Sequence, residues 1–130
     1  MNTRKNEFGS LLKTLRLSRN ITLRRFAEMM GVAPSYLSDV ENSRKAPFSA
    51  ENIDKASDIL CLSVDEKREI NDAAGRWHGN VAHDISAYMN SMDYARLAMR
   101  VAEECNATDD DFIEFINKLK SKRNTGENHD

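Results

Sequence analysis

The stretch from Leu23 to Asn42 constrains the fold more than any other part of this 130-residue chain. Apolar residues at helical spacing predict two short helices, of which the first ends at Gly31 and the second begins at Pro34. Ala27 supplies the small side chain that two closely crossing helices need. Gly31, four residues later, can adopt the positive φ of a tight turn. The pattern therefore predicts a pair of short helices that cross at close range.

Further helices are expected on both sides of this pair. The sequence predicts a first helix that ends near Asn20, a fourth helix capped by Ser49 and a fifth with a capping box that begins at Ser63. The fifth helix is expected to end near Ala74, and shorter helical patterns follow a boundary at residues 75–79. No run of alternating β-branched residues occurs, so we expect no strand.

The predicted fold class is all-α, with a five-helix domain followed by a small C-terminal helical extension. Residues 1–76 are expected to form the first domain, and residues 77–123 a helical C-terminal region. Residues 124–130 are expected to be a disordered tail, because the sequence from Ser121 onward contains no apolar residue.

Charge divides the chain into a basic part and an acidic part. Residues 1–50 carry nine Lys or Arg and four acidic residues, a balance of +5, whereas the remainder has a balance of −7. A basic segment in a chain of net charge −2 favours contact between that segment and a polyanion such as nucleic acid.

The sequence carries no pattern of an enzyme, a membrane protein or a metalloprotein. Its apolar runs are far shorter than the roughly 20 residues that span a bilayer, and it has no signal-peptide pattern, so we expect a cytoplasmic protein with no membrane partner. Cys61 and Cys105 lack metal-binding spacing and are expected to be reduced thiols. His78 and His83 do not share a helix face, and the acids at 109–111 suit a helix start. We therefore predict no metal, cofactor or catalytic residue.

The stretch around the two short helices resembles the phage repressor and Cro-like (XRE-type) family of helix-turn-helix regulators. The resemblance covers about Phe8 to Leu62 and is clearest in the run YLSDVEN at 36–42, which is followed by Arg44 and Lys45. The family usually has Gly after the Asn that Asn42 matches, or in place of that Asn, whereas this chain has Ser43 there. The resemblance implies a five-helix, repressor-like domain that docks its third helix in the major groove of double-stranded DNA, commonly as a dimer.

The third helix presents one stripe of residues away from the core. Because Leu37 and Val40 are expected to face inward, the opposite stripe is expected to read base edges or, alternatively, to be a plain solvated face. A Ser hydroxyl can donate or accept, an Asp carboxylate can accept from the cytosine amino group, and an Asn amide can reach a base or a phosphate. The candidate base-reading residues are Ser35, Ser38, Asp39 and Asn42.

Two further sets of residues match positions with roles in the family. Basic residues on the second helix and in the loop after the third match positions that contact the DNA backbone in the family. For Tyr36 the sequence leaves two alternatives, which are packing of its ring and a hydrogen bond from its hydroxyl to a phosphate. The candidate backbone-contacting residues are Arg24, Tyr36, Arg44 and Lys45. Arg16 and Glu41 match a partly buried ion pair between the first and third helices, for which we expect a structural role.

The C-terminal region, residues 80–123, is acidic and helical and has two apolar stripes. The sequence leaves open whether these stripes serve a homodimer or a protein partner. The leading interpretation is a sequence-specific transcriptional repressor that binds a palindromic operator as a dimer. The alternative is an antitoxin or immunity-type repressor whose C-terminal helices bind a protein partner.

Overall fold

The computed structural model describes residues 7–124, and over that range the chain forms helices and no strand. The elements, in chain order, are α1 (Glu7–Ser18), α2 (Leu23–Met30), α3 (Pro34–Glu41), α4 (Ala50–Leu60), α5 (Val64–His78), α6 (His83–Asn90), α7 (Asp93–Glu104) and α8 (Asp109–Asn124). The all-α fold class is confirmed. The predicted tail at 124–130 lies outside the described residues, apart from the backbone of Asn124 at the end of α8.

The chain divides into two compact units, residues 1–88 and residues 89–130. The division falls within α6. Gly75, at which the sequence predicts a boundary, continues α5 instead of ending it. A Cβ at this position would lie 2.7 Å from the carbonyl oxygen of Asn80 and 3.0 Å from the amide nitrogen of Ala82. The missing side chain thus lets the segment after α5 fold back onto it, and Ala82 is buried in the first unit.

One continuous apolar core fills the first unit. It combines residues from α1 to α5 and from the loop before α4, in agreement with the helical stripes of the sequence. The most buried of these side chains are Phe8, Leu12, Phe26, Ala27, Met30, Leu37, Val40, Phe48, Leu60, Ile70 and Ala73.

Local capping signals account for most helix ends in this unit. The hydroxyls of Thr22 and Ser49 accept hydrogen bonds from the backbone amides of Arg25 and Asn52, which are the third residues of α2 and α4. The predicted capping box forms at the start of α5 between Ser63 and Glu66. Arg19 donates both to the Glu66 carboxylate, at 2.6 Å, and to the carbonyl oxygen of Leu60. The hydrogen bond from Arg19 holds the pKa of Glu66 below its ordinary value.

The second unit contains α7 and α8, and almost none of its side chains are buried. No residue of α7 is fully buried, and the side chains of α8 are exposed over residues 109–123. Tyr94 on α7 is 82% exposed, and Phe115 on α8 is 53% exposed. Helices with such apolar faces ordinarily gain their stability by covering them.

Candidate nucleic-acid interface

The turn between α2 and α3 has the geometry that the sequence predicts. Ala27 is fully buried, so α2 and α3 can approach closely at its methyl group. Gly31 has φ 74° and ψ 30°, the left-handed conformation that ends α2. Lys55 on α4 donates from Nζ to the carbonyl oxygen of Met30 at 2.9 Å. This lysine satisfies one carbonyl at the end of α2 and complements the negative end of the helix dipole.

Replacing Gly31 with alanine is expected to lower the free energy of unfolding by about 1–2 kcal/mol, because left-handed backbone is costly for a residue with a Cβ. Space does not oppose the change, since the nearest atom to an added Cβ is Lys55 Nζ at 3.7 Å. Gly31→Asn is the control, because asparagine tolerates this conformation better. Urea unfolding of the three proteins measures the effect, and an alanine variant as stable as the parent would contradict it.

Gly9 permits a second close approach, between α1 and α3, that the sequence pattern did not predict. A Cβ at Gly9 would meet the carbonyl oxygens of Val40 and Glu41, the latter at 2.6 Å. Any larger residue would therefore push α1 away from the end of α3. The available signal was a glycine inside an amphipathic helix, which costs helix stability unless packing requires it.

Arg16 on α1 and Glu41 at the end of α3 form a buried, two-pronged ion pair. Arg16 donates from Nε to Glu41 Oε2 at 2.7 Å and from Nη2 to Oε1 at 2.9 Å. Its remaining terminal nitrogen, Nη1, donates to the carbonyl oxygen of Ile21 at 2.8 Å. Both side chains are at least nine-tenths buried. The pair fixes the end of α3 to α1 and to the start of the segment that leads into α2.

The opposite face of α3 is open to solvent. Leu37 and Val40 are buried, whereas Ser35 and Asn42 are exposed and Ser38 and Asp39 are half-buried. The structure thus brings the four candidate base-reading residues together on one stripe of a helix that is fixed to the core along its other side.

Two of these four residues are tied to each other. Asn42 donates from Nδ2 to the carbonyl oxygen of Ser38 at 2.9 Å and to its hydroxyl at 3.3 Å. Asp39 lies 3.6 Å from a terminal nitrogen of Arg44. Ser35, in the first turn of α3, is therefore the residue of the stripe with the fewest contacts of its own among the interactions described.

The loop after α3 carries its basic residues outward. Ser43 adopts φ 62°, a left-handed conformation that ordinarily favours glycine. The backbone amides of Arg44 and Lys45 both donate to the carbonyl oxygen of Asp39, at 2.8 and 3.2 Å. These two hydrogen bonds fix the backbone of the loop to α3, while the Arg44 and Lys45 side chains remain exposed.

The other two candidate backbone-contacting residues differ in their surroundings. Arg24 is exposed on the first turn of α2. Tyr36 is half-buried, and its ring stacks on Phe48 with 6.3 Å between the ring centroids. Packing of the Tyr36 ring therefore accounts for part of its environment.

A family model described as helix-turn-helix matches residues 12–67, which include this turn, α3 and the loop after it. Residues 12–67 are a helix-turn-helix domain of the phage repressor and Cro type. The match of this domain supports a DNA-binding transcription regulator. No curated protein sequence matches it significantly.

The chain is also similar to a chain in the solved structure of a SinR protein/SinI protein complex. The two chains are 23% identical, the match covers 90% of this chain and 98% of that one, and the TM-score is 0.45.

Membrane spans and metal clusters are both absent from residues 7–124. No helix in this range is both long enough and apolar enough to cross a membrane. Among the same residues, no cluster of three or more His, Cys, Asp or Glu side chains could hold a metal ion.

Proposed function

We propose that this regulator is a transcriptional repressor that binds a palindromic operator as a homodimer, in the cytoplasm and without catalytic activity. The observation that carries the proposal is the polar stripe of α3, whose residues are exposed or half-buried while the buried Arg16–Glu41 pair fixes the end of the helix to α1. A rigid helix with one open polar face is what recognition in the major groove requires.

The proposal assigns two different roles to the residues around α3. Ser35, Ser38, Asp39 and Asn42 read base edges, whereas Arg24, Tyr36, Arg44 and Lys45 contact the sugar-phosphate backbone. The backbone contacts supply salt-dependent affinity, and the base contacts supply the choice of sequence. Because Asn42 uses its Nδ2 within the helix, its carbonyl oxygen is the atom that we assign to a base.

Lys45→Ala is expected to weaken binding to operator and random DNA alike, and to make the slope of log affinity against log salt shallower by about 1. Arg44→Ala has the same effect, but it also frees Asp39, so Lys45 is the cleaner test. Ser35→Ala and Asp39→Ala are instead expected to reduce the difference in binding free energy between operator and random DNA. The reduction is about 1–3 kcal/mol where the lost contact had good geometry.

Fluorescence anisotropy with both DNAs at several salt concentrations separates the two roles. Lys67→Ala on α5 is the control, since it removes an exposed positive charge away from α3. Equal changes in specificity for the Lys45 and Ser35 variants would show that the roles are wrongly assigned. Selection of bound DNA from a random pool should give an imperfect palindrome with half-sites one helical turn, about 34–36 Å, apart.

The proposal of a dimer is based on the size and the exposed apolar surface of the second unit. Its 42 residues, 89–130, are too few to build an ordinary core, and segments of this size usually need a partner or another staple. The exposed apolar side chains on its two helices are Tyr94, Leu97, Met99, Val101, Phe112, Ile113, Phe115, Ile116 and Leu119. We assign this surface to a second copy of the chain, and an antitoxin-like or immunity-type partner is the alternative occupant.

A further inference from the structure

A cleft in the first unit, away from the α3 stripe, has the features of a small-molecule site. It has a volume of about 170 Å³ and lies among the loop before α4, the first turns of α4, the C-terminal half of α5 and the start of α6. Phe48, Ile53 and Val81 give it apolar walls, and Asn71 and His83 supply polar groups. Apolar walls with a few converging polar groups are typical of ligand pockets.

The fold alone does not explain why Asn71, a polar residue, is buried beside this cleft. It is 6% exposed, and its Nδ2 donates to the carbonyl oxygen of Lys67 at 2.9 Å. Its Oδ1 is buried and accepts no hydrogen bond from the residues that the structure describes. A buried acceptor without a donor is costly, so a donor that reached this atom from the cleft would stabilise the site.

His83 adds a second polar atom of the same kind. Its Nε2 is covered and makes no hydrogen bond within the described residues, since the nearest carboxylate oxygen, on Asp54, is 3.8 Å away. Asn71 and His83 both line the cleft, and each has one buried polar atom without a hydrogen-bond partner among the described residues. A water molecule could satisfy them, but it would leave the apolar walls of the cleft uncovered.

We propose that this cleft binds a small ligand with an apolar body and an N–H donor, such as a compact primary amide or an N–H heterocycle. The N–H group donates to Asn71 Oδ1, and the body lies against Phe48 and Ile53. An apolar cavity of about 150 Å³ admits benzene, so the volume suits a ligand of about six to ten non-hydrogen atoms.

The contacts of Phe48 give the ligand a route to DNA binding, and this step rests on the proposed function. The Phe48 ring contacts the Phe8 ring edge-on, with 5.9 Å between the ring centroids, and it stacks on Tyr36 in the first turn of α3. A ligand packed on Phe48 restrains this stack and so orders the start of α3 before DNA arrives. DNA then loses less conformational entropy on binding, and its affinity rises.

Benzamide is a suitable probe, and acetophenone is its matched control, because a methyl group replaces the amide NH₂ at nearly constant shape. Titration of the full, DNA-free chain, followed by amide ¹H–¹⁵N resonances, should show benzamide shifting Asn71, Ile53 and Val81. Acetophenone should bind about three- to tenfold more weakly, the value of one hydrogen bond. Asn71→Leu should remove this preference, and Asn71→Asp, which keeps an acceptor, should retain binding.

Val81→Trp fills the mouth of the cleft from an exposed position and should abolish binding without unfolding the chain. Saturating benzamide should tighten operator binding about fivefold or more. Three outcomes would overturn the proposal. The two probes could bind with equal affinity, the shifted resonances could lie outside the cleft, or no resonance could shift, which would mean that the cleft holds water only. Because the titration uses no DNA, a chain that binds benzamide but not DNA would contradict the proposed function and leave the ligand site standing.

Discussion

Replacing Glu41 with alanine is expected to lower the free energy of unfolding by about 3–5 kcal/mol, because the change leaves the Arg16 guanidinium buried without its counter-charge. The pair is two-pronged, with distances of 2.7 and 2.9 Å, and the Ile21 carbonyl satisfies only one further nitrogen of Arg16. Such a loss is a large share of the stability of a small domain. Urea unfolding measured by circular dichroism gives the value.

A matched control is Arg25→Ala, which breaks an exposed ion pair with Glu28 at 2.8 Å and should cost less than about 1 kcal/mol. The double variant Arg16→Met, Glu41→Leu should recover most of the lost stability, because it removes both charges and fills the space with apolar groups. If Glu41→Ala costs no more than Arg25→Ala, the pair does not fix α3 to α1. If the double variant is no more stable than Glu41→Ala, repacking around α3, rather than the stranded charge, causes the loss.

The elements that the sequence predicts correctly are those that depend on local signals. Thr22, Ser49 and Ser63 cap the helices that follow them, and Gly31 takes the left-handed conformation at the turn. Each of these effects acts over three or four residues, so the residue types alone indicate it. Helical spacing likewise separates Leu37 from Ser35 on α3 without knowledge of the rest of the fold.

The features that the sequence did not predict depend on contacts between distant segments. Gly75 reads as a helix end in isolation, yet it continues α5 because the backbone at Asn80 packs where a side chain would be. Gly9 is small for the same reason, against the end of α3. Within the candidate interface, the hydrogen bond from Asn42 to Ser38 depends on side-chain rotamers, which periodicity does not specify.

The second unit should hold two chains together, and a single charge on its apolar face should separate them. Ile116 on α8 is 46% exposed, and a glutamate there would have to be desolvated in any apolar interface. Ile116→Glu is therefore expected to convert the dimer into a monomer of 14.8 kDa. Its affinity for the operator should fall about 100-fold or more, because the two half-sites would no longer be bound by linked domains.

Sedimentation equilibrium at micromolar concentration measures the mass, and anisotropy with the operator measures the affinity. Asn117→Glu is the control, because it adds the same charge at the next, exposed position of α8. A fragment of residues 1–88, which keeps Ala82 and the start of α6, should be monomeric and bind DNA weakly. A full-length chain that is monomeric would assign the apolar face to a protein partner instead. A 1–88 fragment that dimerises as well as the full chain would place the dimer contact in the helix-turn-helix unit.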